Sequence, residues 1–222
     1  MSPAARTAAP SVVQERLRAV PAPPAVLSRE REHQLTERQR ELLEHLGELF
    51  VDGFAHLTMA EIASGLNCSL RTLYGLAPSR DELVLVVVDR SLRRVGRAAR
   101  EAITTDMAPL GALVAYLGAA NDAVDGLSAP FARDLAVMPA AQRLGDGHAS
   151  YVTAVTKCLL ELAIDDGSIA PVDAAAVAHV MAGVARDLAM SEVASTLGTA
   201  PTAAANEVVA LLVAGLRSLG PT

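Results

Sequence analysis

The chain has 222 residues, 51 % of them hydrophobic and 3 % aromatic, with a formal net charge of −6. That length holds one large domain or a small domain beside a larger one, with enough apolar material for a core without disulfides or metals. The two cysteines, Cys68 and Cys158, stand alone without metal or redox spacing, and no glycine-rich phosphate loop or nucleophile–base set marks an enzyme. No secretory signal is evident, and the longest apolar run, Leu83 to Val88, falls far short of a membrane span. A reduced cytoplasm, no membrane attachment and no cofactor are therefore expected. The charge is uneven: residues 1–35 carry five arginines against three acids, residues 36–100 nine against nine, and residues 101–222 five basic residues against thirteen acids. The acidity belongs to the C-terminal part, and a small basic face elsewhere suffices for nucleic acid.

In chain order, residues 1–35 are rich in alanine and proline, with Pro-Ala-Pro-Pro-Ala at 21–25, and are expected to be a disordered tail. Val12 to Val20 has helical capacity but no visible partner; Arg29 and Arg31 either reach a minor groove as an arm does or are solvated. Thr36 opens the first firm helix with Gln39 in the capping-box position, and Leu42, Leu43, Leu46, Leu49, Phe50 and Phe54 line one apolar stripe that ends at Gly53 and His56-Leu57. The stretch from Thr58 to Leu83 then holds three helix starts: Thr58 with Glu61 and Ser79 with Glu82 are capping boxes, and Ser69 is a plainer N-cap. Asn67 falls four residues after Ala63, where a helix-turn-helix needs a residue that tolerates left-handed backbone angles. Ile62, Ala63, Leu66 and Leu73 are spaced to pack two short helices together, so the stretch reads as a DNA-binding helix-turn-helix.

A fourth helix runs from Ser79 to about Thr105, with Arg90, Arg93, Arg94, Arg97 and Arg100 along one face. That stripe is either solvated and salt-bridged toward the acidic C-terminal part or a site for an anionic ligand. Further helices are expected over Pro109 to Val124, Ser128 to Met138 and Ala140 to Asp165, the last with Gly145 and Gly147 as candidate breaks. Pro171 falls in the first turn of a helix to about Thr196, and Pro201 starts the last one. These two carry apolar stripes, Val177, Val180, Met181, Val184 and Leu188, then Val208, Leu211, Leu212, Leu216 and Leu219. The expected fold class is all-α, with boundaries at 36–84 and 85–222 after the tail.

The stretch from Thr58 to Leu83 resembles the N-terminal domain of TetR-family (tetracycline-repressor-like) transcriptional regulators. Thr72-Leu73-Tyr74 stands where that family has a Thr-Leu-Tyr core, and Arg80-Asp81-Glu82-Leu83 where it has a Lys-acid-acid-Leu helix start. The match covers about residues 36–90 and departs at Leu76 and Ala77, where the family has His or Tyr followed by Phe. The resemblance implies a three-helix helix-turn-helix domain whose helix from Ser69 enters the major groove. Arg71 would pair with a guanine edge, Leu70 contact a thymine methyl and Thr72 reach base or phosphate, while Thr58, Ser69, Tyr74 and Arg80 hold phosphates. It also implies a C-terminal helical domain that binds a small apolar effector, with Tyr116, Asn121, Phe131, His148 and Tyr151 as candidate pocket residues. The last two helices would form a homodimer through Val177, Met181, Val184, Leu188, Val208, Leu211, Leu212 and Leu216, and the dimer would read a palindromic operator. The rival reading, motivated by Leu76, Ala77 and the acid balance, is a helical ligand-binding or protein-interaction module with a DNA-incompetent helix-turn-helix.

Overall fold

Polar side chains at the ends of apolar runs set most of the helix starts. The computed structural model describes residues 11–124, 128–188 and 191–219, and every regular element among them is helical. Thr36 and Thr58 each make a full capping box, with Gln39 and Glu61 respectively, at the heads of α3 (Glu37–Leu49) and α4 (Met59–Gly65). Ser69 takes the Thr72 N–H to open α5 (Leu70–Leu76), and Ser79 takes the Glu82 N–H at the head of α6 (Arg80–Glu101). Asn67 has φ 48°; its own N–H bonds the Ser64 carbonyl and the Cys68 N–H bonds the Ala63 carbonyl, which closes α4 in a Schellman turn.

Several boundaries differ from the sequence expectation. Residues 1–10 of the expected tail lie outside the described residues, but 11–35 are ordered. They form α1 (Val12–Arg18), capped by Ser11, with Val13 and Leu17 buried, and α2 (Arg29–Gln34), capped by Ser28, followed by a buried Leu35. Downstream come α7 (Pro109–Val124), α8 (Ala129–Ala136) and α9 (Pro139–Asp165). α9 runs unbroken through Gly145 and Gly147, because a helical glycine costs only about 1 kcal/mol, which packing elsewhere on a long helix offsets. Gly167, at φ 75°, ends that segment. α10 (Ala174–Leu188) starts three residues after Pro171, since Asp173 is the residue that accepts the free N–H groups of Ala175 and Ala176. α11 (Ser191–Ala194) and α12 (Pro201–Ser218) follow.

The described chain divides into two units. One comprises Pro23–Gly96 and Val124–His148. Its core packs Leu42, Leu46, Phe50, Ile62, Leu73 and Leu83, all shielded from solvent, against Leu35, Phe54, Leu76 and Ala77. All three phenylalanines of the chain meet here, Phe50, Phe54 and Phe131, with ring centroids 5.7–6.4 Å apart. Asp134 of α8 accepts from the N–H groups of Phe54 and Ala55 at 2.6 and 2.8 Å. Gly53 (φ 91°) leaves the room this needs: a Cβ there would lie 2.8 Å from the Asp134 carboxylate. The helix-turn-helix unit is thus larger than the expected 36–84, taking in α2 and α8 as well.

The other unit comprises residues 11–22, 97–123 and the described part of 149–222. Its interior is aliphatic, with Leu113, Leu117, Leu159, Leu160 and Ile169 buried, as is Tyr116. α10 and α12 pack together; Ala174, Ala178 and Met181 of the first and Ala205, Val209, Val213 and Leu216 of the second are buried. The three alanines among them permit close helix approach.

Candidate nucleic-acid interface

α5 is a seven-residue helix with two opposite faces. Leu73 and Leu76 point into the core, while Leu70, Arg71 and Tyr74, at spacings of one and four, share an exposed face. Leu70 is 43 % and Tyr74 54 % exposed, so both are open to a partner. Tyr74 is therefore not a core aromatic. An exposed guanidinium between two exposed apolar side chains can pair with base edges and pack on a thymine methyl at once.

The hydroxyl groups expected on phosphates are engaged within the chain. Thr58 donates its hydroxyl to Glu61 at 2.7 Å and accepts the Glu61 N–H. The Thr58 N–H is the largest of the bonds that hold the Glu61 carboxyl below its ordinary value, so an anion sits at the head of α4. Ser69 and Thr72 share a hydroxyl hydrogen bond of 2.8 Å, and Thr72 is half-buried. Arg80 binds Asp81 and donates to the Ala55 and Leu57 carbonyls at 3.1 and 3.2 Å, which fixes it against the preceding turn. Leu76 and Ala77, the departures from the family pattern, are both buried.

The five candidate pocket residues do not gather in one unit. Tyr116, Asn121 and Tyr151 belong to the aliphatic unit, Phe131 and His148 to the helix-turn-helix unit. Phe131 is consumed by the phenylalanine cluster, and His148 Nε2 donates to Asp89 at 3.1 Å, so neither is free to anchor a ligand. Asn121 donates to Asn206, which in turn donates to Asp122. Tyr151 accepts from Arg100, which also donates to the Leu17 carbonyl. Tyr116 is fully buried and its hydroxyl has no hydrogen-bond partner among the described residues; burial pushes its ionisation above the ordinary range. Burial likewise raises both cysteine thiols, as suits small packed hydrophobes.

The expected dimer stripe is split. Met181 and Leu216 are buried within the chain by the α10–α12 contact, which removes them from any outer face. Val177, Val184, Leu188, Val208 and Leu212 are half-buried, and Leu211 is 72 % exposed. Val180, part of the apolar stripe read from the sequence, is 55 % exposed, and Asp89, buried in a run of valines, was not among the candidate residues. No helix among the described residues is long and apolar enough to cross a membrane.

No protein-family model matches the sequence, and no curated protein matches it. Solved structures do. A TetR transcription regulator from Haloarcula marismortui ATCC 43049 is 21 % identical, with a TM-score of 0.66 over 82 % of this chain and 99 % of that one. A transcriptional regulator from Cytophaga hutchinsonii ATCC 33406 is 12 % identical, with a TM-score of 0.65 over 84 % of this chain and all of the other. The ketosteroid transcriptional regulator KstR2 of Mycobacterium tuberculosis is 21 % identical, with a TM-score of 0.54 over 82 % and 96 %. The chain has the all-helical fold of the TetR-family regulators, an N-terminal helix-turn-helix followed by a helical C-terminal part.

Proposed function

We propose that the protein is a dimeric, ligand-responsive DNA-binding transcriptional regulator, a repressor released from a palindromic operator by a small apolar effector. One observation carries the reading: α5 turns Leu70, Arg71 and Tyr74 to solvent together, while its remaining large side chains are buried. Such a face is open to a partner, and a guanidinium beside apolar groups suits a base-pair edge. Phosphates would be held mainly by N–H groups at helix starts and by Tyr74, because the hydroxyls of Thr58 and Ser69 and the guanidinium of Arg80 are already bonded.

The outer face of α10 and α12, with Val180 and Leu211, would supply the dimer contact that presents two copies of α5 to successive grooves. The buried Tyr116 hydroxyl, without a hydrogen-bond partner among the described residues and set in an aliphatic interior, suits an effector that is mostly apolar with one hydrogen-bond acceptor. One structural neighbour is named for ketosteroids, a ligand class of that description. The effector would act by favouring a dimer geometry whose reading helices no longer match the groove spacing. Such a protein works in the cytoplasm and needs no enzymatic group.

The test is an electrophoretic shift with the DNA upstream of its own gene. A salt-sensitive complex is expected, and Arg71→Ala is expected to cost about 1–3 kcal/mol of discrimination against scrambled DNA. A chain that shifts no DNA at micromolar concentration would instead be a helical binding module with an incompetent helix-turn-helix, the reading that buried Leu76 and Ala77 favour.

A further inference from the structure

A helix as short as α5 is marginal on its own, so its direction is set by whatever grips its ends. Its last carbonyls lack intrahelical partners. The Leu73 carbonyl is taken by the Ala77 N–H at 3.1 Å. The Gly75 carbonyl accepts from Arg31 Nη2 at 2.5 Å, a cation placed at a helix C-terminus.

Arg31 lies on α2, and α2 is itself held. Its neighbour Glu32 pairs with Arg90 of α6. Upstream, Arg93 Nη2 donates to the Pro23 carbonyl at 3.0 Å, and the Val26 N–H donates to Asp89 Oδ2 at 3.0 Å. Asp89 is 3 % exposed, and its carboxylate is fixed from two further sides by Arg93 Nε at 2.9 Å and His148 Nε2 at 3.1 Å. Leu27 packs on the core and Leu35 is buried in it, so both ends of the segment are seated. A line of bonds thus runs from a buried carboxylate on α6, through residues 23–34, to the far end of the reading helix. All of it lies within the helix-turn-helix unit.

We propose that residues 23–34 are a strap that sets the position of α5 for DNA reading, with Arg31 as its positioning residue. The proposal deepens the DNA-binding reading above and rests on it. Base readout needs side chains held to about 0.5 Å, which a helix of this length cannot secure by its own hydrogen bonds. The strap supplies the grip at the end that the Ser69 cap does not reach. Arg31 acts through Gly75 rather than on DNA.

The test uses the full chain, a duplex that the wild type selects from a randomised pool, and a scrambled duplex of the same composition. Arg31→Ala is expected to lower discrimination between the two roughly fivefold with the salt slope unchanged. It is also expected to speed amide exchange at Leu73 and Ala77, with α3 unaffected; Arg31→Lys restores most of both. Glu32→Gln is expected to lower discrimination roughly twofold. On electrostatics alone, losing an acid would tighten binding to any duplex. The proposal falls if Arg31→Ala weakens both duplexes equally with a slope smaller by about one, the signature of a phosphate contact. It falls equally if α5 exchanges at wild-type rates in the Arg31→Ala variant. A wild-type chain that selects no duplex defeats the DNA reading, while the exchange measurement still decides whether the strap grips α5.

Discussion

The helices α5 and α12 both leave large apolar side chains in water, and their surroundings differ. On α5, Leu70 and Tyr74 flank Arg71 beside a capped helix start. On α12, Leu211 is 72 % exposed among exposed Ala210, Ala214, Gly215 and Ser218, with Glu207 a turn away. Exposure alone therefore does not name the partner; the neighbouring chemistry does. A cation and free N–H groups suit a polyanion, whereas small residues around a leucine suit the close approach of another helix.

The packing beneath the first surface is where a single substitution does most damage. Phe50 is fully buried and touches both other phenylalanines, so Phe50→Ala is expected to cost about 3–5 kcal/mol in urea unfolding and to abolish the DNA shift. On the second surface, two leucines five residues apart give opposite outcomes. Leu211→Glu is expected to yield folded monomers with a near-normal melting temperature, read by sedimentation. Leu216→Glu, at a buried position, is expected to unfold the helix pair by placing an unpaired charge in its core. An intact Leu211→Glu dimer would remove α12 from the interface.

A further variant tests the buried carboxylate. Burial raises the Asp89 ionisation, but hydrogen bonds from His148, Arg93 and the Val26 N–H outweigh it and leave the group below its ordinary value. Its folded value therefore lies below its unfolded one, so the stability it contributes is present above the ordinary carboxylate range and is lost as the pH falls through the folded value. Asp89→Asn is expected to cost about 2 kcal/mol at neutral pH. It should also flatten the acid limb of a plot of urea midpoint against pH. An unchanged acid limb would mean that other depressed carboxyls, Asp134 and Glu61 among them, carry the effect.

Much of this architecture was legible in the sequence where one residue's chemistry suffices. Thr36, Thr58, Ser69 and Asn67 announce helix ends because caps and left-handed turns are local, decided within four residues. What depends on distant partners was not legible. The proline-rich start looked like a tail because its anchors, Asp89, Arg90 and Arg93, lie some sixty residues away, and nothing in 23–34 alone reveals them. Phe131 and His148 looked free for a ligand for the same reason: the rings and the carboxylate that occupy them are distant in sequence. The apolar stripe on α12 was visible, but its division into an inner Leu216 and an outer Leu211 was not, since a wide stripe on one helix does not say which edge its neighbour covers.

The smallest expected effect separates the two jobs of α5 at a single residue. Ser69 Oγ accepts the Thr72 N–H at 3.1 Å, so Ser69→Ala is expected to cost about 1 kcal/mol of stability through the lost cap. It should also fray the turn that carries Leu70 and Arg71, weakening DNA binding along with stability. Ser69→Asp behaves differently. Aspartate caps as well as serine and its charge favours a helix N-terminus, so the thermal melt should stay at or above wild type. The same carboxylate would face the phosphates that those N–H groups are proposed to hold, and the DNA shift should be lost. A Ser69→Asp chain that is stable yet still binds DNA with wild-type salt dependence would show that the start of α5 does not face the nucleic-acid backbone. The partner of its exposed face would then have to be a protein.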